Sequence, residues 1–70
     1  MRNVYELAYD LGLFGRHDKI TAGKWKNDEE ELNDFFVRHN VPLSEQDKVR
    51  EHFEKGLKEY FRLQSVGTGG

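Results

Sequence analysis

Two Asn-x-x-Glu signals, Asn3 with Glu6 and Asn27 with Glu30, each head a run whose apolar residues recur at helical spacing. The asparagine side chain can accept a backbone N–H one turn on while the glutamate reaches back, so each pair marks a helix start. After Asn3, Val4, Leu7, Ala8 and Leu11 fall at i, i+3, i+4 and i+7 and make one apolar stripe. A first helix is expected over about residues 3–13. Gly12 and Gly15 are read as its stop, with Leu13 and Phe14 folding back over the core. After Asn27, Leu32, Phe35, Phe36 and His39 share a face. Asn40 suits a left-handed stop, and Pro42 ends any helix and drives Val41 out of helical geometry. The second helix is therefore expected over about residues 28–39.

A third helix opens with Ser44 as its N-cap and Glu45, Gln46 and Asp47 in the first turn. Val49, Phe53, Leu57, Tyr60 and Phe61 form its stripe, and Gly56 lies within that stripe, where a missing side chain lets another helix approach. The expected span is about residues 44–64. On the opposite face, Glu51–Lys55 and Glu54–Lys58 are i, i+4 pairs on a solvated surface. The fold class is all-α, a compact three-helix bundle with an irregular connection over residues 15–27. Residues 1–64 read as a single helical domain and residues 65–70 as a flexible, Gly-rich tail or linker.

Only 36% of the 70 residues are apolar and 34% are charged, so the core must be small. Five Phe, three Tyr and one Trp compensate, because each ring removes a large area from water. Without cysteine there are no disulfides or thiolate metal sites. The net charge of −2 offers no general attraction to nucleic acid or anionic lipid. No stretch approaches the ~20 apolar residues that span a bilayer, and the N-terminus lacks an apolar signal region. A cytoplasmic location is expected, with no membrane partner.

The connection carries a change of polarity. Arg16, His17, Lys19, Lys24, Trp25 and Lys26 make a basic-aromatic segment, and Asp28 to Asp34 follow as an acidic one. A loop, a short β-like arm or a one-turn helix starting at Thr21 are all compatible with residues 16–26, pinned by Ile20 and Trp25. Cations interleaved with an aromatic can hold phosphates, which makes Arg16, Lys19, Lys24 and Lys26 candidate nucleic-acid contacts. The acidic turn lies within one Debye length and opposes that field. A helix-turn-helix docking through the third helix would present Glu45, Gln46 and Asp47 to the phosphates, and Coulomb terms disfavour it.

Catalytic chemistry finds little support. Thr21 to Lys24 carry a Gly-Lys pair but not the phosphate-binding loop motif, and the acidic turn lacks EF-hand spacing. His17, His39 and His52 form no metal-ligand pattern. No enzyme activity, cofactor or metal is expected. In composition the chain resembles the small acidic helical accessory proteins of bacteria and phage that bind larger machines.

Tyr5, Tyr9 and Gly12 fall on a second face of the first helix, about 100° round from the Val4 stripe. Tyrosines beside a glycine gap make a good docking surface. The expected function is a small, non-enzymatic, regulatory protein-binding module, docking on a larger protein partner through Tyr5, Tyr9 and Trp25. Homodimerisation is a further option. The alternative is a nucleic-acid-binding domain using residues 16–26.

Overall fold

The computed structural model describes residues 3–68, with backbone alone for 66–68. Met1, Arg2, Gly69 and Gly70 lie outside the described residues, and with the last two goes part of the expected flexible tail. Helix α1 (Val4–Asp10) passes without a break through a π-helical turn (Leu11–Gly15) into α2 (Arg16–Thr21), so the three form one rod. Helices α3 (Asp28–Arg38) and α4 (Leu43–Thr68) follow. The fold is an all-α bundle of three helical rods, with no strand among the described residues.

The asparagine half of each capping signal acts as expected. Asn3 accepts the Glu6 N–H and Asn27 the Glu30 N–H, each at 2.9 Å. Asn40 takes φ 52° and closes α3. Its N–H donates to Val37 O at 3.2 Å and the Val41 N–H to Phe36 O at 2.9 Å, the paired bonds of a Schellman stop. Val41 is thereby delivered into the core. The first rod ends by the same device at Gly23, φ 73°, where Gly23 N–H reaches Ile20 O at 3.0 Å and Lys24 N–H reaches Lys19 O at 2.8 Å.

The glycines expected to stop the first helix do not stop it. Gly12 is buried in the π turn, and a Cβ there would lie 2.2 Å from Phe53 O and 2.8 Å from Leu57 N. Gly56 answers from α4: its Cβ would lie 2.0 Å from Tyr9 O and 3.0 Å from Leu13 N. The two backbones therefore touch where both lack a side chain. Successive contacts of the rod (Tyr5 with His52, Tyr9 with Gly56, His17 with Tyr60) advance along α4 in the same direction, so the two run parallel.

The core gathers Ala8, Leu32, Phe35, Phe36, Val41, Val49 and Phe53, with Val4, Tyr5, Leu7, Leu11, Trp25 and Leu57 packed against it. Burying a Leu, Val or Phe side chain contributes about 1.5–3 kcal/mol. The molecule is 42 Å long, close to the ~39 Å rise of α4's 26 residues; α4 is the spine.

Five further expectations need correction. Residues 16–21 are helical, not irregular, so the connection shrinks to residues 22–27. Phe14 does not fold back over the core: it is 60% exposed, because the extra residue in the π turn rotates it off the apolar stripe. Phe61, assigned to the α4 stripe, is 54% exposed, since no helix covers that side. Ser44 lies inside α4, which begins at Leu43, with the Glu45 N–H on Pro42 O at 2.9 Å. Helix α4 also continues to Thr68, past the expected end near Gln64.

Gly12→Ala and Gly56→Ala should each lower stability by about 1–3 kcal/mol, because the new methyl meets backbone and the helices must separate. Gly15→Ala should cost less, since its Cβ would crowd only the end of the Leu11 side chain, with Cδ1 at 3.0 Å, and no backbone atom closer than 4.0 Å. Urea midpoints of the three variants test that order.

Candidate partner-binding surfaces

The basic segment is folded onto the acidic one. Asp28 Oδ1 accepts both the Arg16 Nε–H at 3.0 Å and the Trp25 indole N–H at 2.9 Å. Glu31 is 7% exposed and takes the Lys19 ammonium at 3.4 Å and the Lys26 backbone N–H at 3.3 Å. The Lys26 ammonium stands 3.8 Å from Asp34. Of the four proposed nucleic-acid contacts, Arg16, Lys19 and Lys26 are thus paired with α3, and Lys24 is exposed, with no ion pair among the described residues. The Glu29 carboxylate pairs with both ends of the Arg50 guanidinium, tying α3 to α4. The expected α4 surface pairs Glu51–Lys55 and Glu54–Lys58 are not closed; Arg62 closes on Glu59 instead.

Trp25, expected as a docking ring, is half-buried. It lies parallel to Phe53, at 6.4 Å between centroids and 5° between planes. Arg16 Cζ and Lys19 Nζ approach its ring centre to 5.9 and 6.0 Å, the outer limit of cation–π attraction. Its polar and apolar contacts all point into the chain.

Tyr5 and Tyr9 are brought together. With Asn3, Glu6, Asp10 and His52 they line an open cleft of about 420 Å³. The Tyr5 hydroxyl donates to Glu45 Oε2 at 2.5 Å, and its ring sits 5.0 Å from that of His52. The hydrogen bond to Glu45 raises the Tyr5 phenol above the ordinary 10.0, aided by desolvation and the Glu45 charge. Gly12, grouped with these tyrosines in the sequence, faces α4 instead. His52 was missed as a lining residue. It sits more than forty positions away, and only the parallel packing of the rod on α4 brings it here.

A second surface lies at the far end of the spine. Phe14, Leu63, Leu13, Tyr60 and His17 line a cleft of about 250 Å³. Tyr60 and His17 Nδ1 share a 2.8 Å hydrogen bond across it. Phe14 also borders a shallow groove of about 410 Å³ between the rod and α3, where Leu7, Leu11, Phe35, Arg38 and His39 take part. The His39 ring rests 4.3 Å from that of Phe35.

Among the described residues no three His, Asp or Glu side chains are grouped so as to hold a metal ion. No described helix is long and apolar enough to cross a membrane. Neither protein-family models, curated proteins nor solved structures give a match to this chain.

Two outcomes follow from these contacts. Asp28→Ala removes the acceptor shared by Arg16 and Trp25, and should cost about 1–2 kcal/mol and shift the Trp25 fluorescence to the red. The raised Tyr5 pKa means that its hydrogen bond contributes fully below pH 10.0 and is lost as the pH climbs through the folded-state value. Stability should therefore fall on the alkaline side, and Tyr5→Phe should flatten that part of the curve of urea midpoint against pH.

Proposed function

We propose that the protein is a small, non-enzymatic, regulatory binding module that docks on a larger protein through the Tyr5/Tyr9 cleft. The observation that carries this is the convergence of two half-buried tyrosines on one open cleft of about 420 Å³. Tyrosine suits such a place because it offers a large rigid area at low entropic cost, with a polar tip. The Tyr5 ring is held from both sides, by Glu45 at its hydroxyl and by His52 at its face, so little order has to be gained on binding. Trp25 is less favoured as a docking residue than Tyr9, since its indole N–H and ring face are engaged by Asp28 and Phe53. A phosphate-binding role for Arg16, Lys19 and Lys26 is disfavoured, because their charges already meet carboxylates of α3. A cytoplasmic setting agrees with a cysteine-free chain.

Affinity capture on the immobilised protein tests the proposal. Tyr9→Ala should weaken partner retention about tenfold or more, while its thermal melt stays near that of the parent. Phe14→Ala should leave retention unchanged. The opposite result, retention lost with Phe14 and kept without the Tyr9 ring, would move the docking face to the other end of the spine.

A further inference from the structure

We infer that the protein pairs with a second copy of itself about a two-fold axis, each copy setting Phe14 and Leu63 over the Tyr5/Tyr9 cleft of the other. The second copy and a docked partner then compete for one cleft, so self-association covers the docking site until a partner displaces it.

The tyrosine cleft and the Phe14/Leu63 cleft lie on one side of the molecule. Along the rod, Tyr5 and Tyr9 line the first and Leu13 and His17 the second, four residues apart throughout. Steps of four drift about 40° each in a regular α-helix, and the extra residue of the π turn takes up most of that drift. Along α4, His52 and Leu63 stand about three whole turns and roughly 16 Å apart on one face. No residue of α3 lines either cleft, so this side of the rod and spine carries no third helix among the described residues.

The area of that side argues for a second copy. It runs the length of the rod, roughly 27 Å, and is two helices or about 20 Å wide. That is about 500 Å² per copy and on the order of 1,000 Å² for a pair, the size at which specific interfaces begin. One cleft alone falls well short, so the area is reached only when both are covered together. A two-fold axis between the clefts covers both in one step, the Phe14 end of each copy crossing the tyrosine end of the other. Because both halves of the contact share one face, the arrangement closes at two copies and does not grow into a filament.

The surfaces brought together also match. Phe14 is 60% and Leu63 47% exposed, apolar area that gains by leaving water. Opposite them lies an open cleft of about 420 Å³ whose tyrosine and His52 rings give an aromatic side chain faces and edges to pack on. Polar groups under the contact are not stranded. Glu6 and Asp10 keep interactions within the chain, and the Tyr5 hydroxyl donates to Glu45. Glu59, between His52 and Leu63 on α4, is engaged by Arg62.

Sedimentation of the full chain from about 10 µM to about 1 mM tests the pairing, and the mass should rise from one copy to two. Phe14→Ala and Tyr9→Ala should each raise the dimer Kd about tenfold or more, since each removes its contact twice. The Phe14 ring already stands in solvent, so its loss tests pairing and not folding. Mixed in equal amounts, the two variants should associate more tightly than either alone, because a mixed pair keeps one Phe14–Tyr9 contact. Phe61→Ala should change nothing, as two residues from Leu63 it points to the other side of α4. A chain that stays single at about 1 mM, or a mixture no tighter than its parts, would overturn the inference. So would pairing that is lost with Phe61 and kept without Phe14. Copies tethered apart cannot pair, so affinity capture reads the docking face alone. Tyr9-dependent capture by a chain that never pairs leaves the docking reading standing, and pairing without Tyr9-dependent capture leaves only the pairing.

Discussion

The contact between Gly12 and Gly56 is what the remaining structure depends on. Each glycine sits where the facing helix offers backbone instead of side chain, with Phe53 O and Leu57 N on one side and Tyr9 O on the other. Helices normally stand 8–10 Å apart because side chains fill the gap. Here the gap is absent, and two consequences follow. Leu13 and Ala8 are drawn into contact with α4 and buried. The rod also needs an extra residue in its turn to keep both halves against the spine, and the π turn from Leu11 to Gly15 supplies it, with the Arg16 N–H bonded to Leu11 O. That extra residue rotates everything downstream. Phe14 is turned out to solvent, while Arg16 and Lys19 are turned toward Trp25 and the acidic side of α3.

The change of polarity in the sequence is thereby explained as an internal fit. The Gly23 turn reverses the chain between a rod ending in cations and a helix beginning with acids. Asp28 and Glu31 serve twice over, favouring the positive end of α3's own dipole and neutralising the rod. Exposed pairs of this kind add little stability singly. Glu31 differs because it is buried, and its two donors keep that burial from being costly. The same pairing removes most of the positive field that a phosphate backbone would need.

What could be read from the sequence, and what could not, divides along a physical line. Capping is local, so Asn3, Asn27 and Asn40 were legible from a few neighbours each. Gly56 was legible because it interrupts an otherwise continuous stripe of large residues. Gly12 was misread because a glycine that stops a helix and one that admits a second helix have the same local signature, and only α4, some forty residues on, distinguishes them. Gly15 lies within the π turn and meets only its own rod. The error propagated: once the first helix was ended at residue 13, Phe14 had to fold back and residues 15–27 had to be irregular. The face shared by Tyr5 and Tyr9 was legible from spacing. The cleft was not, since His52 is recruited by tertiary packing.

The two candidate faces differ in how firmly they are built, and this favours the tyrosine cleft. Helix α3 has 11 residues against the 26 of α4, so it can flank less than half of the spine. In that half, the rod, α3 and α4 share the core around Phe53, and the cleft's His52 is next to it in sequence. Beyond it only the end of the rod accompanies α4, and Phe61 and Leu63 are left bare. A two-helix stretch has fewer buried contacts to hold its shape and opens more readily. A surface there would have to be ordered by its ligand, whereas the Tyr5 ring is already fixed by Glu45 and His52 before anything binds. Preorganised rings lie at one end of the molecule, and exposed apolar area without such support lies at the other.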